Sequence, residues 1–244
     1  MSVTGIIGAE QQEVTLLTSE MMDCRIEHHG GCGFHSGLIQ GAPVVVVCCG
    51  IGKVNAALCT QILISVYKAE RIINTGVAGG LAESLSVLDM VVSTDTVEHD
   101  MDATFFGYVP GQVPGTDSPF YSADQAMIAA VQRAWEKRAA AVALQEDTGQ
   151  SHRLLAGRVA SGDLFVSDPA ARKRIIDLFA PACVEMEGAA VAHVCTVNKI
   201  PFVVLRSISD LAGTEAHLSY EEFSPKAARI SAALVIAMLE VIYA

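Results

Sequence analysis

The segment that most restricts how this chain can fold is Cys183-Val184-Glu185-Met186-Glu187-Gly188-Ala189-Ala190-Val191-Ala192-His193. It opens as an apolar strand, places two carboxylates around a methionine, and passes directly into a helix of small residues that lets neighbours approach closely. A second apolar run, Pro201 to Asp210 with Arg206 inside it, follows closely. Charged side chains are rarely buried without a partner or a task. On an extended chain Glu185 and Glu187 share a face while Met186 points away, so the spacing predicts acid placed inside the protein for chemistry.

The rest of the chain repeats this alternation of buried strand and helix. Apolar runs predict strands at Val3–Gly8, Arg25–Glu27, Gly33–Gln40, Val44–Gly50, Arg71–Thr75, Met90–Val97 and Arg158–Gly162. Helices are expected just after Gly8, from Lys53 to about Tyr67, over Ala123–Ala139, from about Pro169, and from about Tyr220 to Ile242. Met127, Ile128, Val131 and Trp135 give the third of these one buried stripe. Strands alternating with helices favour a mostly parallel or mixed sheet covered on both faces. With 244 residues, 51% of them apolar, and no linker-like stretch, residues 1–244 read as one α/β domain.

Composition excludes several functions. A formal charge of −11 with no offsetting Lys/Arg cluster repels phosphate, which argues against a nucleic-acid partner. The longest stretch free of acid and base, His28 to Gly52, is broken by Gly, Pro and Gln, so no membrane span is expected. No basic lead precedes the first apolar run, and seven cysteines sit in apolar surroundings such as Val47-Cys48-Cys49. Both features suit a cytoplasmic protein with unpaired, buried thiols. Cys24, His28, His29, Cys32 and His35 match no common zinc spacing, and strand alternation is expected to send them to opposite faces, so no metal is expected. Gly50-Ile51-Gly52-Lys53-Val54 has the wrong glycine spacing for a phosphate loop and a valine where a magnesium-binding hydroxyl belongs. Gly5-Ile6-Ile7-Gly8 likewise lacks the full dinucleotide pattern, so no cofactor is expected.

Two loops stand out. Gly76-Val77-Ala78-Gly79-Gly80-Leu81 reads as a turn at the carboxyl end of a buried strand, where glycines let backbone approach a ligand. Phe105 to Gly115 is aromatic and rich in Gly and Pro, so it is expected to cover a pocket or meet another subunit. Glu13, Glu187 and Asp210 fall at helix starts or strand ends, which share one edge in a sheet of this kind. Three carboxylates with Arg206, and no evident nucleophile, suit acid/base chemistry on a neutral substrate. A glycosyl bond fits, because its cleavage generates a cation that carboxylates stabilise.

Taken in order, Gly5-Ile6-Ile7-Gly8-Ala9 with Glu13-Val14-Thr15-Leu16-Leu17, Gly50–Val54, Asn74-Thr75-Gly76, Ala78-Gly79-Gly80 and His99-Asp100 resemble the bacterial 5'-methylthioadenosine/S-adenosylhomocysteine nucleosidase family. Phe106-Gly107-Tyr108, Ser161-Gly162-Asp163, Val184–Glu187, Ala192-His193-Val194-Cys195 and Ser209-Asp210 extend the likeness along nearly the whole chain. The resemblance implies a single-domain three-layer sandwich around a mixed, partly barrel-like sheet, assembled as a homodimer. It implies hydrolysis of a nucleoside by water, releasing adenine, in a role such as methionine salvage.

Position by position, the resemblance makes Glu13 the base that activates water and Asp210 the acid that supports protonation of the purine. Met186 and Glu187 fall in the ribose site beside Glu185, Arg206 lies near the water and ribose, and Phe165 and Val166 wall the purine. Phe223 matches an aromatic beside the sugar, and Val77, Ala78 and Ser209 fall within site motifs. Ile51 and, from a neighbouring subunit, Ala103, Phe106, Tyr108 and Pro114 match the pocket for the 5'-alkylthio group. Val77 departs from a frequent Ser, and Glu10-Gln11 from a frequent Met-Glu pair, which bears on 5'-substituent preference. A purine nucleoside phosphorylase, an aminofutalosine hydrolase and a non-catalytic purine binder are the alternatives.

Overall fold

Strand β1 (Thr4–Gly8) is buried along its length because both neighbours run parallel to it, β4 (Ala42–Cys48) on one side and β5 (Arg71–Gly80) on the other. Beyond β4 the sheet continues antiparallel through β3 (Cys32–Ile39) to the exposed β2 (Met22–His29). In the other direction β5, β9 (Cys183–Glu185), β8 (Leu154–Ser161), β6 (Met90–Glu98) and β10 (Phe202–Asp210) form a ring, since β10 pairs with both β6 and β5. Closure leaves these five strands without a free edge, and short β7 (Phe120–Ser122) pairs outside the ring with β6. The computed structural model describes residues 2–137, 152–213 and 216–244.

Helices cover the sheet on both sides. Helix α1 (Gln11–Ser19), α3 (Gln125–Glu136) and the long α6 (Ala216–Tyr243) pack together over β10 and β5. On the opposite side lie α2 (Lys53–Ser65) and α5 (Gly188–Asn198), whose small residues let it sit close to β6 and β8. Helix α4 (Pro169–Phe179) begins at Asp168, which accepts the Ala171 amide, and buries Ile175 and Phe179 in a smaller second core. The result is the mixed, partly barrel-like three-layer sandwich expected.

Some local readings need correction. The glycines after Thr75 do not form a turn: β5 runs on to Gly80, paired with β10 as far as Gly79 and with β9 at Gly79 and Gly80. A side chain at Gly76 would collide with the Glu13 carboxyl, and one at Gly79 would come within 3.0 Å of Asp210 Oδ1, so the glycines make room for acid inside a continuous strand. Strand β9 ends at Glu185, so Glu185 and Glu187 do not share one face of a strand as expected. The Glu185 carboxylate accepts the amides of Glu187 (3.1 Å) and Gly188 (2.8 Å), which turns the chain into the first turn of α5. Helix α6 starts four residues before Tyr220 and tolerates Pro225 within it. Arg138 and Ala139, the end of the third expected helix, lie outside the described residues. On β2 and β3, Cys24 and His35 meet at 3.8 Å on one face rather than opposite faces. All seven cysteines are free, and Cys24 is exposed rather than buried.

Candidate active site

A cavity of about 460 Å³ opens where the carboxyl ends of β1, β5, β9 and β10 meet the first turns of α1 and α6. Glu13, Ile51, Val77, Ala78, Phe165, Glu185, Met186, Glu187, Ser209 and Asp210 all line it. Side chains from the beginning, the later middle and the far end of the sequence therefore share one hollow. Met186, expected to point away from the carboxylates, faces it too.

Each acid is held differently. Glu13, in the first turn of α1, accepts the amides of Ala9 (2.6 Å) and Glu10 (3.0 Å) on Oε2 and that of Val77 (3.0 Å) on Oε1. Burial pushes its pKa up, against the opposing pull of the Arg206 charge and these amides. Glu185 is spoken for: besides the two amides it accepts Ser161 Oγ and pairs with Arg206. Glu187 accepts one amide, Gly52 N–H at 2.8 Å, and stands 3.9 Å from Arg206 Nη2. Burial first, and then the Glu185 charge, raises its pKa. Asp210 accepts Ala212 N–H (2.8 Å) and Ser209 Oγ–H (2.9 Å), yet burial still lifts it above the usual carboxylate range.

The turn that only superficially resembled a phosphate loop thus serves a carboxylate. Gly52 has φ 101°, a conformation costly for any side chain, and a Cβ there would meet Asp163 Oδ1 at 3.0 Å. Its amide is thereby aimed at Glu187.

Arg206 lies behind the cavity rather than on it. It is 1% exposed and bonds Asn74 Oδ1 at 2.6 Å, the Leu205 carbonyl at 3.1 Å and Glu185. Val166 borders an adjoining small hollow with Phe165 and Asp210. Phe223 does not border the cavity: it packs on the main core, and the aromatic that α6 brings to the site is Tyr220, about one turn earlier. Ala103, Phe106, Tyr108 and Pro114 lie away from this chain's own cavity. Phe106 is 76% exposed and its neighbour Phe105 94%.

Glu10, noted in the sequence only as a departure bearing on the 5'-substituent, lines the cavity, as do His217, Tyr220 and Glu221, which the sequence did not single out. A signal was present: His217, Tyr220, Glu221 and Ser224 recur at helical spacing as a polar stripe on an otherwise apolar helix. Among the described residues no group of three or more His, Cys, Asp or Glu is arranged to hold a metal ion. None of the described residues lining the cavity is Lys or Arg.

Residues 3–240 match the family model of the phosphorylase superfamily. The 5'-methylthioadenosine/S-adenosylhomocysteine nucleosidase of Treponema pallidum (strain Nichols) is 49% identical, over 97% of this chain and 92% of that protein. Among solved structures, a nucleosidase of the same name from Colwellia psychrerythraea 34H, in complex with adenine, superposes with a TM-score of 0.91 at 38% identity, covering 98% of this chain and 95% of that one. The futalosine hydrolase of Helicobacter pylori strain 26695 gives a TM-score of 0.89 at 32% identity, covering 98% and 97%.

Proposed function

The chain belongs to the phosphorylase superfamily and, within it, to the 5'-methylthioadenosine/S-adenosylhomocysteine nucleosidase family, and we propose how its cavity performs the reaction. It is an N-ribosyl hydrolase that cleaves the N-glycosidic bond of these two nucleosides, releasing adenine and a 5-thio-ribose product. Phe165 and Val166 wall the purine, whose N7 faces Asp210. Glu187, left with free lone pairs, holds the ribose hydroxyls above Met186, while Glu185 and Arg206 fix it from behind. Val77, Ala78 and Ser209 shape the wall between the two ends.

As the bond from C1' to the purine lengthens, its electron pair moves into the base and Asp210 delivers a proton to N7. Positive charge grows on the sugar, where ionised carboxylate stabilises it. Glu13 takes a proton from water, whose oxygen bonds C1'. Two raised carboxyls thus take opposite roles: Asp210 works protonated and Glu13 ionised.

The observation that carries this reading is a cavity that gathers carboxylates from α1, β9, α5 and β10 with no Lys or Arg among its described lining residues. Phosphate as nucleophile needs fixed cationic donors, so water is favoured over phosphorolysis. Adenine released chromatographically from methylthioadenosine in phosphate-free buffer is the expected result. A strict requirement for phosphate would overturn it. Likeness to a futalosine hydrolase supports a second reading, an aminofutalosine substrate, which a side-by-side rate comparison of the three nucleosides decides.

We infer one nucleosidase domain over residues 1–244, acting in the cytoplasm on nucleosides such as those of methionine salvage. No helix among the described residues is long and apolar enough to cross a membrane. Ile51, Val54, Phe105, Phe106 and Val109 are exposed, and apolar surface of this size suits a homodimer in which Ala103, Phe106, Tyr108 and Pro114 reach the 5'-end of the neighbour's substrate. Sedimentation of a monomer at working concentration would remove that assembly.

A further inference from the structure

Glu10 and Glu221 are the cavity carboxylates that hydrolysis leaves without a task, and of the two Glu10 is the one withdrawn from solvent. Its Oε2 accepts the Tyr220 hydroxyl and, at 3.0 Å, Gln12 Nε2. These bonds tie the start of α1 to the first turns of α6 across the cavity, where the Tyr220 ring stands edge-on to Phe165 at 5.8 Å. Burial and the neighbouring Glu10 charge push the Tyr220 pKa up, so its hydroxyl remains a donor.

Exposure separates the floor of the cavity from its mouth. Glu13 and Asp210 are 4% and 3% exposed. The side chains of His217 and Glu221, paired at 3.2 Å, are 71% and 64% exposed. Glu10 and Tyr220 therefore stand between the reacting floor and the rim. A nucleoside with its base at Asp210 and its sugar at Glu187 has only the 5'-substituent left to place, and this is the part that differs between the two substrates. A methylthio group is neutral and draws nothing from a carboxylate. A homocysteine tail carries a protonated amine, which the half-buried Glu10 attracts more strongly than an exposed acid could. The tail's own carboxylate is then left to the rim, beside His217.

We propose that Glu10, positioned by Tyr220, is a specificity-determining residue that favours a 5'-substituent carrying a protonated amine over a bare alkylthio group. The inference rests on the nucleosidase reading above and assigns it a substrate preference.

The test compares kcat/KM for S-adenosylhomocysteine, its analogue lacking the amino group, and methylthioadenosine, in the wild type and in Glu10→Gln, Glu10→Met and Tyr220→Phe. The wild type is expected to prefer the amine over its deaminated analogue by about tenfold, the scale of one hydrogen bond to a charged group. Glu10→Gln, which keeps size and hydrogen bonding, is expected to bring the two within about twofold, with the change in KM rather than kcat. Tyr220→Phe is expected to fall between, and 0.5 M salt to shrink the wild-type preference but not that of Glu10→Gln. Glu10→Met is expected to lower the preference for the homocysteine nucleoside over methylthioadenosine, and should it fail to fold, Glu10→Gln decides. An amine preference that survives Glu10→Gln overturns the proposal. So does a change confined to kcat, which would report disturbance of Glu13 through the Glu10 amide. Release of adenine from none of the three nucleosides by the wild type would instead overturn the nucleosidase reading.

Discussion

Two acidic clusters lie on either side of the Gly50–Lys53 turn, and they behave in opposite ways. In one, Lys53 Nζ bridges Glu98 (3.2 Å) and Asp100 (2.7 Å), His193 Nδ1 lies 3.0 Å from the other Glu98 oxygen, and Asp100 also accepts the Asp163 amide at 2.9 Å. Burial pushes both acids up, but their cationic and amide partners outweigh it and both sit below the usual carboxylate range. In the other, Glu13, Glu185 and Glu187 share one guanidinium, Arg206, and Glu185 takes most of it. There burial wins, and Glu13, Glu187 and Asp210 all rise. Direct contact with a cation, together with shallower burial, separates a cluster that holds the fold from one that moves protons.

Substitutions on the two sides are expected to differ accordingly. Glu13→Gln is expected to cut kcat about a thousandfold or more, the upper range for losing a positioned base, while adenine binding measured by calorimetry stays within a few-fold. Near wild-type turnover would move the proton-accepting role elsewhere. Arg206→Met leaves Glu185 buried and unpaired, at a cost of about 3–5 kcal/mol in a urea unfolding curve. A loss under 1 kcal/mol would mean that the amides around Glu185 suffice.

Asp210→Asn is expected to slow turnover about a hundredfold and to change the pH profile. Glu13 must be ionised, so wild-type activity falls as pH drops through its raised pKa, above the ordinary 4.5. Asp210 must be protonated, so activity falls again as pH rises through its raised value. The asparagine variant is expected to lose the alkaline limb and keep the acid one, read from kcat/KM against pH. An unchanged bell would assign the alkaline limb to another group.

Stability carries the same sign. A carboxyl raised by folding contributes stability fully below its unfolded pKa and loses it as pH rises through the folded value. Glu187→Gln therefore changes the melting temperature more favourably at pH 9 than at pH 5, by differential scanning calorimetry. The opposite order would mean that Glu187 is stabilised as an anion by the Gly52 amide. At the small end, Lys53→Met removes two pairs whose side chains are mostly buried and is expected to cost about 1–2 kcal/mol, between an exposed pair and a fully buried one. A larger loss would make the second cluster as critical to the fold as Arg206.

Strand positions were legible because buried strands read as continuous apolar runs, Glu187 and Asp210 because acid beside such runs is conspicuous, and Glu13 from its place at a helix start and the family resemblance. Local conformation at the site was less so. The glycines of β5 read as a turn since nothing in the run says that a carboxylate packs on them. Glu187 was assigned to a strand because the capping of α5 by Glu185 is made by amides, which leave no mark in the sequence. Phe223 and Tyr220 lie on one helix, and choosing between them needs its rotation against the core.

The sequence by itself determined the alternation of strand and helix, the family and which acids enter the interior, since each depends on residue type and order. The tertiary structure decided that four strand ends and two helix starts meet around one hollow, that one arginine serves several carboxylates there, and that Glu10 faces Tyr220 across the opening. Those relations join residues up to about two hundred positions apart. Their energies depend on distance and burial, which only the closed sheet and the helices laid on it set.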